Sequence, residues 1–461
     1  MSWLDRLEQL EDDPWVRSRS APIREEGDRV VYFMERAPRE ADNPALERAV
    51  SRARMVDAPL EVVMALEPST VGPTERHAAF VLGGLAELDA ALGKRGIRLN
   101  LFVASWEEVI ATRAPQAKLI VIDRDDLRLG RAWRSELLEQ YPHRVEEVET
   151  RVIVPFGELT DRHEYAARTL RPRIWDAIEG LGCYPVRRRP VAKTSLHLPR
   201  DGIRADDVSA LLAQLELDRE AGPVDDAYPP GEAAAASRFE AFVAEGLGRY
   251  AEDRSRPSRE AGSKLSPYLN WGILSARRVA YAVQKAGGEG ASAFLEELVV
   301  RRDLAYNHVA FSGDDYDRIS SLPSWALETL RDHREDAREY IYTRDELESA
   351  ATHDEAWNDA MRCMKETGGL HNRLRMYWGK QVISWTNTPG YAHRVLRELN
   401  DRYLLDGNHP PTYANVGWCF GLHDQPFGEQ KVLGKIRPMT RGGLDRKVDL
   451  EAWRTRLEVA S

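Results

Sequence analysis

Three tryptophans lie near one another in the second half of the sequence, on two neighbouring predicted helices. Trp378 and Trp385 are seven residues apart and therefore share one face of a helix predicted over 370–386. Trp357 belongs to the preceding predicted helix, 354–365. Aromatic residues with this spacing most often pack in a core, so on their own these three indicate buried aromatic packing.

Charged and polar residues that could form a binding site lie near the tryptophans in the sequence. Arg375 lies one helical turn before Trp378, and a later segment contributes Asn400, Asp406 and Gly407 after another predicted helix. A buried guanidinium needs an acidic partner, and Asp406 is the natural candidate. The spacing therefore predicts an ion pair between Arg375 and Asp406.

The first third of the chain alternates short β-branched runs with helical patterns. Strands are predicted over 30–34, 60–65, 97–103 and 119–123, with helices over 45–55, 75–92 and 106–113. This alternation is typical of a Rossmann-like α/β domain with a parallel sheet. No predicted strand is followed by a phosphate-binding glycine fingerprint, and the near match at Gly288 and Gly290 is predicted to be a loop.

Helical periodicity dominates from residue 238 onward, which predicts a larger all-α domain. Its helices are predicted over 239–250, 275–285, 292–309, 354–365, 370–386 and 390–399. The helix at 354–365 starts at a capping-box pattern, Thr352 to Glu355, and ends at Gly368. The predicted order is an N-terminal extension, an α/β domain, an arginine- and proline-rich linker and the all-α domain, over 1–27, 28–160, 161–237 and 238–461.

Composition places the chain among folded, water-soluble, multidomain proteins: 461 residues, 43% hydrophobic and 30% charged. The net charge of −10 argues against a nucleic-acid-coated surface, although one basic edge is enough for an enzyme that binds phosphates. Cys183, Cys363 and Cys419 lack zinc spacing, so we expect reduced, buried thiols and no metal site. Without a secretion-signal pattern or a membrane-length apolar run, we expect a cytoplasmic protein, nuclear in a eukaryote.

Eight short segments occur in one order along the chain. They are EYAARTLRP at 164–172, GSKLSPYL at 262–269, SARR at 275–278, EELVVRR at 296–302, RMYWGK at 375–380, LNDRYLLDG at 399–407, GLHDQ at 421–425 and GKIR at 434–437. Together they resemble the class II cyclobutane pyrimidine dimer photolyases, members of the photolyase/cryptochrome family. The resemblance covers about residues 28–450.

The resemblance implies that the all-α domain binds FAD in a bent shape. The residues at its phosphates would be Tyr250, Gly262, Ser263, Lys264, Leu265 and Ser266. Hydroxyls and backbone N–H groups before a helix can bind an anionic diphosphate, and they can also serve simply as an N-cap. Asn400 would face the reactive edge of the flavin, with Arg375, Asp406 and Gly407 beside the ring system to tune its charge.

The resemblance also implies a catalytic role for the tryptophans. Trp378 would be proximal to the flavin, Trp357 next and Trp385 a further member of a relay that brings an electron from the surface. FAD would thereby reach its reduced, anionic form. Light-excited reduced FAD, beside Asn400, would then donate an electron into the cyclobutane ring of a dimer flipped out of the duplex, as in a deoxyribodipyrimidine photo-lyase.

The implied substrate is UV-damaged DNA that contains pyrimidine dimers, with neither a membrane nor an obligate protein partner. Glu297 would hydrogen-bond the flipped bases, Met376 would lie beneath the dimer and Trp418 would form a stacking wall, although capping or core packing also explains each. The basic segment 431–447 suits phosphate contacts, and the candidates are Lys431, Lys435, Arg437 and Arg441.

The sequence departs from the class II pattern as well. The differing positions are Val152, Asn270, Trp271, Ile273 and Tyr306. The presence and identity of an antenna chromophore stay open, because the α/β pattern is generic. An alternative function is a cryptochrome-like blue-light photoreceptor, which shares the flavin and the tryptophan relay but does not repair DNA.

Overall fold

The computed structural model describes residues 14–18, 26–142 and 144–460, and the chain divides into two compact units. The first unit comprises Met1–Asp161, Arg173–Arg238 and Tyr268–Ala282. The second comprises Arg162–Pro172, Phe239–Pro267 and Val283–Ser461. The predicted N-terminal extension, 1–27, lies mostly outside the described residues. Across the described ranges, no helix has the length and apolar character needed to cross a membrane.

The first unit is built on a six-stranded sheet in the order β1-β6-β5-β2-β3-β4. The strands are β1 (Val16–Ser18), β2 (Arg29–Phe33), β3 (Leu60–Ala65), β4 (Arg98–Phe102), β5 (Ala117–Asp123) and β6 (Val145–Val148). Strands β2 to β6 run parallel, and β1 pairs antiparallel with β6. Every residue of β2 and β3 is buried, as expected for central parallel strands. The predicted parallel α/β fold is confirmed.

Helices connect these strands and extend beyond the sheet. Up to residue 241 they are α1 (Pro44–Met55), α2 (Pro68–Val71), α3 (Glu75–Leu82), α4 (Leu85–Lys94), α5 (Trp106–Arg113), α6 (Arg128–Gln140), α7 (Phe156–Leu159), α8 (Ala167–Leu181), α9 (Val208–Gln214) and α10 (Glu232–Ala241). The single helix predicted over 75–92 is wrong: it breaks at Gly83, where a Cβ would lie 2.6 Å from Pro230 Cγ. Helix α8 also occupies part of the segment predicted as linker.

The second unit is predominantly helical, which confirms the all-α prediction. The helices that follow residue 249 are α11 (Tyr250–Asp253), α12 (Ser266–Asn270), α13 (Ala276–Ala286), α14 (Gly288–Leu295), α15 (Arg302–Phe311), α16 (Ser324–Asp332), α17 (Arg344–Glu348), α18 (Glu355–Thr367), α19 (Asn372–Ser384), α20 (Pro389–Tyr403), α21 (Pro410–Cys419), α22 (Arg441–Asp445) and α23 (Leu450–Ala460). Part of α12 and most of α13 belong to the first unit. The loop predicted at Gly288 and Gly290 is wrong, because both begin α14. A Cβ at Gly290 would collide with the carbonyl of Leu247.

Three histidines of the second unit form a ring cluster around His308. His308 is fully buried, and its ring centroid lies 5.4 Å from that of His163 and 5.9 Å from that of His423. Burial, and then its two histidine neighbours, lowers the pKa of His308 to about 3. The folded protein therefore keeps this imidazole neutral.

This buried histidine makes stability depend on pH. In the unfolded chain this histidine has a pKa of 6.5 and takes up a proton below that pH. Folded His308 stays neutral until the pH approaches about 3, so the two states differ in bound protons between these values. Its contribution to stability is therefore complete above the unfolded pKa and is lost progressively as the pH falls through this window. We expect the urea midpoint to fall as the buffer is acidified, with a shallower fall for His308→Gln. Equal pH dependence in both proteins would contradict this assignment.

Candidate cofactor and electron-relay site

The three tryptophans form a continuous chain of rings inside the second unit. Trp378 and Trp357 are stacked, with centroids 6.1 Å apart and planes inclined by 13°, and Trp385 meets Trp357 edge-on at 5.8 Å. Trp378 is 1% exposed, Trp357 0% and Trp385 6%, so Trp385 is the ring nearest to solvent. Since electron transfer weakens steeply with distance, rings in near contact are suited to pass an electron stepwise.

Hydrogen bonds hold α18, which carries Trp357, against α19, which carries Trp378. The indole Nε1 of Trp357 donates to the carbonyl oxygen of Trp378 at 2.9 Å. The N-cap of α18 is Asp354, whose Oδ1 accepts from the backbone N–H of Trp357 at 3.0 Å. The capping box predicted to start at Thr352 is therefore wrong, and the Thr352 hydroxyl instead donates to Asn358 Oδ1. The predicted end of α18 is confirmed, with Gly368 in the left-handed conformation.

The predicted ion pair between Arg375 and Asp406 is present. Arg375 Nη2 donates to both carboxylate oxygens of Asp406 at 3.1 Å, and both side chains are largely buried, at 14% and 9% exposed. Among the described residues, Arg375 Nε is buried without a hydrogen-bond partner. The pair therefore leaves one guanidinium donor available to another group.

Asn400 lies on α20, three residues before the helix ends, and is 3% exposed. Its Nδ2 is a buried donor for which the described part of the chain supplies no partner. The turn that follows is tightly fixed: a Cβ at Gly407 would lie 2.9 Å from the carbonyl oxygen of Leu404. Asp401 holds the same turn by accepting from the backbone N–H of Asn408 at 3.0 Å. Burial raises the pKa of Asp401 to about 7.

The predicted phosphate loop precedes α12. Gly262 is exposed, and a Cβ there would meet nothing within 4 Å, so packing within the protein does not demand glycine at this position. Lys264 adopts a left-handed backbone with φ of 52°, and Ser263 Oγ accepts from the N–H of Leu265 at 3.4 Å. Side-chain bonds within the described ranges do not join this loop to Arg375 or Asn400. The loop is therefore open to solvent at Gly262.

Tyr250 and Glu297 are brought together by Arg254. Arg254 Nη1 lies 2.5 Å from Glu297 Oε1, and its guanidinium lies 5.8 Å from the ring centre of Tyr250. Burial raises the pKa of Tyr250, so the phenol is neutral. Glu297 belongs to a π-helical turn, Glu296–Arg301, of a kind that is common at functional sites. Sequence reasoning missed Arg254 and this turn, which leaves no periodicity signal.

The residues predicted to contact a lesion are partly exposed. Met376 and Trp418 are half-buried, on α19 and α21. The guanidinium of Arg301, which the sequence analysis did not single out, lies 5.6 Å from the ring centre of Trp418. Buried Lys380 donates to the carbonyl oxygen of Cys419 and so ties the end of α21 to α19.

The basic segment 431–447 contains two kinds of cation. Arg437 pairs with Asp424 at 3.2 Å, and Arg441 pairs with Asp445 at 2.9 Å and Asp354 at 3.0 Å. Lys431 and Lys435 are exposed. The two lysines are therefore better placed than the two arginines to meet phosphates.

Comparison of the sequence with known proteins shows the family of this chain. The DNA photolyase family model matches residues 30–181. A deoxyribodipyrimidine photo-lyase of Methanothermobacter thermautotrophicus is 37% identical over 94% of this chain and 95% of its own length. The chain belongs to the photolyase family. Photo-lyases of Oryza sativa subsp. japonica and Potorous tridactylus are 36% and 33% identical, over 93% and 96% of this chain and 87% and 84% of theirs.

Solved structures of photolyase-family proteins share the fold. A class III photolyase from Agrobacterium tumefaciens superposes with a TM-score of 0.66 at 20% identity, covering 96% of this chain and 98% of its own. A cryptochrome from Synechocystis gives a TM-score of 0.71 at 16% identity, covering 96% and 90%. The prediction of a photo-lyase-type enzyme, a DNA-repair flavoprotein, is confirmed by the family. All three cysteines are buried, as predicted.

The residues present fit the FAD that photolyases bind. A flavin ring offers carbonyl oxygens and ring nitrogens, which are acceptors for buried donors that lack a partner. Asn400 Nδ2 and Arg375 Nε are two such donors within the described residues. Partnerless buried donors are costly in a folded protein unless a ligand or water satisfies them. These two donors are therefore better explained by a bound polar cofactor than by packing in a hydrophobic core.

Proposed function

We propose that this photolyase repairs cyclobutane pyrimidine dimers in DNA and that it belongs to class II. When bound, FAD in its reduced, anionic form supplies, on absorbing light, the electron that splits the cyclobutane ring. Asn400 and Arg375 would donate to the flavin, and Asp406 would balance the guanidinium charge. Tyr250 and the 262–266 loop would hold the remainder of the cofactor.

The observation that carries the light-driven part of this proposal is the ring chain Trp378–Trp357–Trp385. A core could use three tryptophans anywhere, but here two are stacked at 6.1 Å, the third follows at 5.8 Å, and the least buried ring is at one end. Trp378 is also on the same helix as Arg375, three residues further along. A path from the protein surface to the flavin-binding residues is what reduction by light requires.

The order of the eight segments supports class II, and the names of the relatives support a pyrimidine dimer as substrate. A dimer in a duplex has to leave the stack before it can approach the flavin, at a cost of a few kcal/mol that is lowest for a damaged pair. Trp418 and Met376 are half-buried apolar side chains that would receive it. Glu297, oriented by Arg254, would accept hydrogen bonds from the flipped bases.

The test is repair of an oligonucleotide that carries one cyclobutane thymine dimer, by FAD-loaded protein under blue light with a chemical reductant. Loss of the dimer in light and not in darkness supports the proposal. A matched oligonucleotide with a (6–4) photoproduct checks lesion class, and its exclusive repair would refute the dimer assignment. Photoreducible flavin without repair of either lesion would favour the photoreceptor alternative.

DNA affinity should depend on salt through the basic segment. Replacing Lys431 and Lys435 by glutamine removes two exposed charges, and the slope of log affinity against log salt should become shallower by about two. Fluorescence anisotropy with dimer-containing DNA measures this slope. The control is Arg437→Gln, whose cation is already paired with Asp424 and should change the slope less. Equal slopes for the double variant and the unmodified protein would exclude these lysines.

A further inference from the structure

A second aromatic cluster continues the relay beyond Trp385 toward the surface. The ring centroid of Trp385 lies 5.8 Å from that of Tyr342 and 4.9 Å from that of His353. His353 in turn stacks on Tyr340 at 3.6 Å with planes 13° apart. Trp385 is buried, Tyr342 is half-buried, and His353 and Tyr340 are exposed. The order of burial therefore leads outward from the proposed relay.

Hydrogen bonds give Tyr342 a base at its hydroxyl. Tyr342 Oη lies 2.8 Å from His353 Nδ1, and it accepts a second hydrogen bond from the backbone N–H of His353 at 2.9 Å. When the neutral imidazole carries its proton on Nε2, its Nδ1 accepts the hydrogen of the Tyr342 hydroxyl. The backbone N–H of Tyr342 also donates to the carbonyl oxygen of Trp385 at 2.8 Å, which fixes the tyrosine beside the indole.

We propose that Tyr342 is the terminal electron donor of the relay and that His353 is its proton acceptor. This inference rests on the proposed function, because it needs Trp385 to be oxidised when the flavin is reduced by light. A phenol loses its proton readily once it has lost an electron, so a base within hydrogen-bond distance makes its oxidation easier. The arrangement around Tyr342 supplies that base.

The step balances in electrons and protons. The oxidised indole of Trp385 takes one electron from the Tyr342 phenol and becomes neutral again. The phenolic proton moves to His353 Nδ1, which leaves a neutral tyrosyl radical and an imidazolium. The imidazolium is exposed and releases its proton to water. A small-molecule thiol then restores the phenol by giving it a hydrogen atom, and the thiol is the final reductant.

Transient absorption and electron paramagnetic resonance of FAD-loaded protein after a blue flash test this inference. In the unmodified protein, a neutral tyrosyl signal should grow as the tryptophan radical decays, and it should grow more slowly in heavy water. Tyr342→Phe should remove that signal, and the yield of lasting reduced flavin should fall because the tryptophan radical recombines. His353→Asn keeps the backbone N–H but removes the base, so it should slow tyrosyl formation and reduce the isotope effect.

Tyr340→Phe is the matched control, because it removes a nearby exposed phenol that stacks on His353 without using Nδ1. It should leave the tyrosyl signal intact. Persistence of the signal in Tyr342→Phe, or its loss in Tyr340→Phe, would overturn the assignment. A tryptophan radical without any tyrosyl signal would refute this inference alone. Absence of both radicals would instead refute the relay of the proposed function. Flavin content and circular dichroism check that each variant folds.

Discussion

Trp378→Phe is expected to abolish light-driven reduction of bound flavin and to leave repair by chemically reduced protein nearly unchanged. Phenylalanine is much harder to oxidise than an indole, so the stacked contact with Trp357 would no longer pass an electron. The rate of photoreduction should fall at least about tenfold, which corresponds to about 1.4 kcal/mol in an activation barrier. Flavin absorbance during blue illumination measures this rate, and dimer repair after dithionite treatment measures the second activity.

Trp453→Phe provides the control for this experiment. Trp453 is also a buried indole of the second unit, on α23, and the described ring contacts do not include it in the relay. Its replacement should cost packing without changing photoreduction. The Trp357 indole bonds to the backbone carbonyl of residue 378, which the substitution retains, so the neighbouring ring should keep its place. Normal photoreduction in Trp378→Phe would remove this residue from the relay.

The sheet shows where sequence reasoning succeeds and where it stops. Strands β2, β3 and β5 were predictable because they contain runs of buried, β-branched residues between helical patterns. Strand β4 was predictable because apolar residues recur along 97–103 between two helical patterns. Strand β6 was missed because it contains Glu146, which is unusual in a buried strand. Arg48 and Arg52 of α1 neutralise that carboxylate at 2.7 and 2.6 Å. A tertiary ion pair of this kind leaves no local pattern in the sequence.

The candidate site also has features that the sequence predicts and features that depend on tertiary packing. Helical spacing predicts that Trp378 and Trp385 share a face, but the stacking on Trp357 depends on how α18 packs against α19. Both Asp354 and Thr352 were available as caps, and the choice depends on the Thr352 hydroxyl being used by Asn358 at 2.7 Å. The π-helical turn before α15 was missed because one extra residue per turn does not alter the hydrophobic pattern enough to be seen.

Asp406→Ala should be the most damaging single substitution among the residues proposed to bind the flavin. It leaves the Arg375 guanidinium largely buried and without its carboxylate, and removing one partner of a buried pair typically costs about 3–5 kcal/mol. The protein should unfold at a lower urea concentration and should release FAD more readily. The double variant Arg375→Met with Asp406→Leu should recover much of the stability, because it removes both charges together. It should not recover FAD binding, since the donor at Arg375 Nε is lost as well.

A second ion pair, between Arg397 of α20 and Asp317, separates these two effects. Arg397 bonds Asp317 at 2.8 Å, with side chains 29% and 8% exposed, and neither residue is among those proposed to contact the flavin. Asp317→Ala should therefore lower stability while the ratio of flavin to protein absorbance stays normal. If Asp406→Ala behaves in the same way, the pair near Trp378 is structural. If it loses flavin at a denaturant concentration where Asp317→Ala retains it, the carboxylate acts through Arg375 on the cofactor.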